Sequence, residues 1–163
     1  MSDVFLIADS GPLIALAGVE HLALLPKLYS RVAAPLAVID EILAGRRGSS
    51  GHNFLDRALW LEKLEVSASS VLHFAVLGQG ETEAIALATQ FSNVRLLLDD
   101  HKARRVAESL SLDMIGSAGF LVQAKRRGFV QQVLPILYEM RASGYYIGDR
   151  VIWRAALAAQ EAI

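Results

Sequence analysis

Val94-Arg95-Leu96-Leu97-Leu98-Asp99-Asp100 is the stretch on which the fold is read. Residues 94–98 form a short, largely apolar run, two carboxylates stop it, and a helical pattern over 102–110 follows. Such a run reads as a strand buried on both faces. The same order occurs at residues 4–8, which end in Asp9-Ser10-Gly11-Pro12 and pass into an Ala/Leu-rich helical segment up to Ala17. Ser10 is placed to cap that helix, and Pro12 is tolerated in a first turn. A third unit runs from 31–34 through Pro35 into a helix whose stripe is Val38, Ile39, Ile42 and Leu43, ended by Gly45. Residues 45–53 read as a loop, 54–64 as helical, 64–66 as a brief strand, 81–91 as a helix and 113–115 as a strand. Helices over 118–127, 130–141 and 149–163, with Gly128 and Gly144 as stop signals, complete the pattern. Strands alternating with helices predict an α/β domain over residues 1–163, with a parallel sheet covered on both faces.

With 163 residues, 53% of them hydrophobic, the chain can bury one sizeable core without a metal or disulfide staple. It has no cysteine. That excludes a disulfide framework, a thiolate zinc site, an iron–sulfur cluster and a cysteine nucleophile. Sixteen Lys and Arg stand against seventeen Asp and Glu, so any contact with nucleic acid has to come from a local patch. The apolar runs fall short of the roughly 18 to 20 residues of a membrane span. The first basic residue is Lys27, so no secretory signal is expected and the reading is cytoplasmic.

Acidic residues gather at the strand ends. Asp9 follows the first strand and Asp99-Asp100 the one at 94–98, and carboxyl ends of parallel strands are where ligand sites form. Singly, each also reads as a helix cap or turn residue. Glu81 precedes Ala84, Ile85 and Ala88 by three, four and seven residues, which turns it inward; Glu83 falls roughly opposite and reads as solvated. An inward carboxylate is costly unless it is paired, hydrogen-bonded or bound to a cation. The amino end of its own helix contributes only about 0.3 to 1 kcal/mol. Asp40 and Glu41 flank the stripe of their helix, and periodicity does not choose between them. Carboxylates converging on one cleft repel one another unless a divalent cation neutralises them, and oxygen-only ligands suit Mg²⁺ or Mn²⁺.

Four motifs in order resemble the PIN-domain nucleases: Asp9-Ser10; Ala33-Ala34-Pro35 leading to Val38-Ile39-Asp40-Glu41-Ile42-Leu43; Gly80-Glu81-Thr82-Glu83-Ala84-Ile85; and Leu96-Leu97-Leu98-Asp99-Asp100. Ala124-Lys125-Arg126-Arg127-Gly128 is similar to the branch often encoded as toxins of toxin–antitoxin pairs. The likeness runs over about residues 4–150. It implies a three-layer α/β/α sandwich with a central parallel sheet and an acidic cleft that binds Mg²⁺ or Mn²⁺ and hydrolyses RNA phosphodiester bonds. The catalytic acids it implies are Asp9, Glu41, Glu81 and one of Asp99 and Asp100. Asp9, Glu81 and one of the Asp pair would hold the metal, and Glu41 would complete or orient the shell. Counting from the leucine run favours Asp100 and counting from Glu81 favours Asp99. The chain departs from the family's usual pattern at Glu81, where Asp is common, and at Leu98, where Thr is common. RNA as substrate, an antitoxin protein as partner and a homodimer are further implications.

RNA needs cations around such a cleft, and the candidates are Lys102, Arg104 and Arg105 beside the acidic pair and Arg46 and Arg47 on the loop. Lys125, Arg126 and Arg127 read as complementing a helix carboxyl end. His101 reads as an exposed histidine rather than a general acid. Ser10 could bond a phosphate or a carboxylate instead of capping. Val151, Ile152, Trp153, Ala156 and Leu157 serve either a dimer contact or the core. The alternative function is a weak or inactive PIN-like module that binds RNA or protein. The Asp-Ser-Gly ending of the first strand lacks the second Asp of a phosphatase motif and the acidic pair of a receiver domain, and no Gly-rich phosphate loop is present.

Overall fold

The computed structural model describes residues 2–45, 52–67 and 76–163. Five strands, β1 (Ser2–Ala8), β2 (Tyr29–Pro35), β3 (Leu61–Leu64), β4 (Val94–Leu97) and β5 (Met114–Ile115), form one parallel sheet in the order β3-β2-β1-β4-β5. The helices are α1 (Ser10–Gly18), α2 (Leu25–Leu28), α3 (Leu36–Leu43), α4 (His52–Leu55), α5 (Gln79–Ala88), α6 (His101–Ser109), α7 (Ser117–Arg126), α8 (Leu134–Ala142) and α9 (Asp149–Ala159).

The apolar strands read as buried on both faces because they are. Leu6 and Ala8 of β1 face a core built with α1, α2, α7, α8 and α9 and with Val38, Ile39 and Ile42 of α3. Phe5 and Ile7 face a second core with Ala84, Ile85 and Leu87 of α5 and Ala103 and Ala107 of α6. Side chains alternate along a strand, so consecutive apolar residues serve opposite cores. The result is the three-layer α/β/α sandwich with a central parallel sheet.

Residues 54–64 depart from the helical reading. The chain turns after α4, and Leu61-Glu62-Lys63-Leu64 pairs with residues 32–35 of β2 as an edge strand. Glu, Lys and Leu favour helix, but an edge strand needs only alternate residues inward, and pairing overrides propensity. Helix α8 starts at Leu134, where Pro135 suits a first turn. Helix α9 stops at Ala159 because Gln160 turns left-handed at φ 56°. Gly128 and Gly144 sit at φ 79° and 93°, the conformation that ends α7 and α8. Among the described residues no single helix is long and apolar enough to cross a membrane.

Candidate functional site at the carboxyl edge of the sheet

From β1 the chain moves outward to β2 and β3 on one side, then returns to β4 and β5 on the other. The strand order reverses between β1 and β4, and in open parallel sheets the crevice for a ligand opens at the carboxyl ends of such a pair. Ala8 lies opposite Leu97, and the Asp9 amide donates to the Leu97 carbonyl at 3.1 Å. Asp9 therefore follows β1 at the level where β4 runs into Asp99 and Asp100. Its residue is only 2% exposed and its backbone is the N-cap of α1, so its charge sits where the dipole of that helix favours it.

Ser10 is not the cap. It is the first helical residue, and its hydroxyl donates to Glu41 Oε2 at 2.9 Å. This bond across 31 residues resolves the choice that periodicity left open: Glu41 of α3 faces the edge, and Asp40 is exposed. Glu41 Oε1 accepts from the Gly80 amide at 3.0 Å in the first turn of α5. A Cβ on Gly80 would stand 2.7 Å from that carboxylate, so only glycine permits the approach. A cavity of about 250 Å³ lined by Ala37, Asp40, Glu41, Gly78 and Gln79 opens beside it.

Glu81 follows Gly80 and is half-buried. Its Oε2 accepts from the Gly78 amide at 2.7 Å, which is half of a capping box. The carboxylate is thus met by the amino end of its own helix. Glu83 is not merely solvated: it is half-buried, and its Oε2 accepts from the Ala37 amide at 3.2 Å, joining α5 to the start of α3.

The two aspartates after β4 have different tasks. Asp100 is the N-cap of α6, with Oδ1 accepting from the Ala103 amide at 2.9 Å. Asp99 turns to the start of α7, where Oδ1 accepts from the Ser117 amide at 2.7 Å and Oδ2 from the hydroxyls of Ser117 and Tyr145, each at 2.5 Å. A Cβ on Gly116 would stand 2.8 Å from Asp99 Oδ1, so this approach also requires glycine. Arg104 Nη1 donates to the Leu98 carbonyl at 2.7 Å and braces the turn that carries the pair.

Of the candidate cations, Lys102 and Arg105 are exposed on α6, and Arg46 and Arg47 lie outside the described residues. Lys125 pairs with Glu161 at 2.8 Å, and Arg126 donates to the Ala158 carbonyl at 3.3 Å, so these two fasten α7 to the end of the chain. His101 opens α6 and is exposed. Sequence reasoning missed the parts of Gly80, Gly116, Ser117 and Tyr145. The two glycines beside acidic motifs were a usable signal; nothing local marks Tyr145, 46 residues from Asp99.

The topology thus brings acids from four elements to one edge, with oxygen donors of the kind Mg²⁺ or Mn²⁺ takes. Their aims differ. Among the described residues no three His, Asp or Glu side chains stand together in a way that could hold a metal ion. In this arrangement the donor set fits a hard dication in kind but not in geometry.

A family model described as a PIN domain matches residues 5–161. No curated protein matches the chain. PIN domains are generally nucleases, and divalent metals are typical of them. The matched span includes every acid of the edge and every strand of the sheet except the first residues of β1. On that match and this sheet, the chain belongs to the PIN-domain family.

Proposed function

We propose that the chain is a ribonuclease that hydrolyses RNA phosphodiester bonds, acting as the toxin of a toxin–antitoxin pair with an antitoxin protein as partner. One observation carries the reading: Asp9 is buried at the reversal between β1 and β4, with Glu41 on one flank through Ser10 and Asp99 on the other. The chain's own residues fix where two of these acids point. Ser10 and the Gly80 amide orient Glu41, and Ser117 and Tyr145 orient Asp99. Neutral donors fix a carboxylate without cancelling its charge, which leaves a negative edge able to attract a cation. The donor chemistry favours Mg²⁺ or Mn²⁺ as the cofactor. The toxin role, the antitoxin and a homodimer rest on the family resemblance.

The test is cleavage of single-stranded RNA in Mg²⁺, in Mn²⁺ and in chelator. Cleavage is expected in a divalent metal and lost in Asp9→Asn. Gly80→Ala forces the Glu41 carboxylate aside and is expected to depress cleavage at least ten-fold while circular dichroism stays unchanged, since a flexible side-chain end yields more readily than a backbone. A second reading, a PIN-like module that binds without cutting, is favoured by the engagement of Glu41, Asp99 and Asp100 with amides and hydroxyls. RNA binding without cleavage in either metal would replace the first reading with it.

A further inference from the structure

Helix α9 sorts its residues between core and surface. Ile152, Ala155, Ala156 and Ala159 are buried, whereas Trp153 is 57% and Leu157 67% exposed. Arg150, Trp153, Arg154 and Leu157 recur at i, i+3, i+4 and i+7, so they share one face, and both arginines are exposed. The neighbouring acids are engaged elsewhere, Asp149 with Arg141 and Glu161 with Lys125, and no ion pair among the described residues takes up Arg150 or Arg154. An exposed tryptophan between two uncommitted arginines presents a stacking surface and two positive charges.

The turn that leads into this face reaches the acidic edge through one side chain. The Tyr145 hydroxyl donates to Asp99 after β4, three residues before Gly148, the N-cap of α9. Tyr146 is 91% exposed, and its hydroxyl lies 3.8 Å from where a Cβ on Gly148, the N-cap of α9, would stand. An open cavity of about 420 Å³, lined by Arg141, Tyr145, Tyr146 and Asp149, lies in the same turn.

We propose that Tyr146 and the Arg150, Trp153, Arg154 and Leu157 face of α9 form a binding track for single-stranded RNA, leading substrate to Asp99. The substrate class rests on the ribonuclease reading above; the location rests on the structure. Bases stack on Tyr146 and Trp153, and phosphates meet Arg150 and Arg154, the combination that binds single strands without sequence preference. A second copy of the chain is the poorer occupant. A two-fold contact through this face gathers four arginines into one interface, and the face carries no acid of its own to pair with them.

The experiment uses the full chain carrying Asp9→Asn, a fluorescein-labelled single-stranded RNA of about twelve nucleotides, and anisotropy across a salt series. Adding Trp153→Ala is expected to weaken binding roughly five-fold or more. Adding Arg150→Gln with Arg154→Gln is expected to lower the slope of log affinity against log salt by about 1.4, two phosphates at roughly 0.7 each. Unchanged affinity and slope overturn the proposal, as does a chain that binds no RNA. A dimer that dissociates in Trp153→Ala with RNA affinity unchanged also overturns it and assigns the face to self-association. Cleavage by the otherwise unaltered chain is measured alongside. Cleavage whose KM is indifferent to Trp153→Ala removes the track and leaves the ribonuclease reading, whereas a binding loss without cleavage in any metal removes the ribonuclease reading and leaves the track.

Discussion

The two ends of the sheet treat acidic side chains differently. Toward the amino ends of the strands, acids meet cations: Arg31 and Glu62 pair at 2.8 Å, with the guanidinium 4.0 Å over the Phe5 ring, and Arg95 and Asp113 pair at 2.7 Å. At the carboxyl edge, Glu41, Asp99 and Asp100 are held by amides and hydroxyls. A cation partner neutralises a carboxylate, whereas an N–H or O–H donor aims it and leaves its charge in place. One end holds the sheet together through ion pairs, and at the other neutral donors set where the carboxylates point. Away from both, Glu161 combines the two devices, pairing with Lys125 while accepting from the Val133 and Leu134 amides at 2.6 and 2.9 Å.

The largest stability effect is expected where both devices meet. Glu161 has a side chain only 9% exposed, and Glu161→Ala strands Lys125 and two amides at the start of α8, at a cost of about 2 to 3 kcal/mol in chemical denaturation. Burial pushes the Glu161 carboxyl up, but the Lys125 ammonium and the two amides outweigh it and hold it below the usual carboxylate range. As pH falls the unfolded chain therefore takes up this proton first, so the contribution is complete above the ordinary glutamate value near 4.3 and is lost as pH falls through the lower folded value. The advantage over Glu161→Gln is expected to hold from neutrality down to about pH 5 and to shrink below it. A gap that widens in acid would contradict the pairing.

Next is Tyr145→Phe, which removes one donor from Asp99 and is expected to cost about 1 to 2 kcal/mol. Coupling with Ser117→Ala in a double-mutant cycle checks that both hydroxyls act on the same oxygen, and additive losses would separate them. Asp100→Ala removes the cap of α6 and is expected to cost roughly 1 kcal/mol, read from the denaturation midpoint. Smallest is Glu62→Gln at the other end of the sheet, under about 1 kcal/mol and fading with added salt, because that pair is exposed.

Much of the fold was legible because its signals are local. The apolar runs at 4–8 and 94–98, the breaks after them and the glycines at 128 and 144 each declare a conformation to their neighbours, and the structure places elements there. The edge strand Leu61–Leu64 was not legible, since its four residues suit a helix and only pairing with β2 makes them a strand. The positions of the acids at strand ends could be read for the same local reason.

Where those acids point could not. Glu41 is chosen over Asp40 by Ser10 and Gly80, 31 and 39 residues away, and Asp99 is separated from Asp100 by Tyr145, 46 residues away. The sequence by itself determined that carboxylates would follow β1 and β4, because strand and helix periodicity act over a few residues. Only the tertiary structure decided which donor each one faces and which face of α9 stays open, because a buried or half-buried charge turns toward whatever donor the packing of distant elements brings within reach.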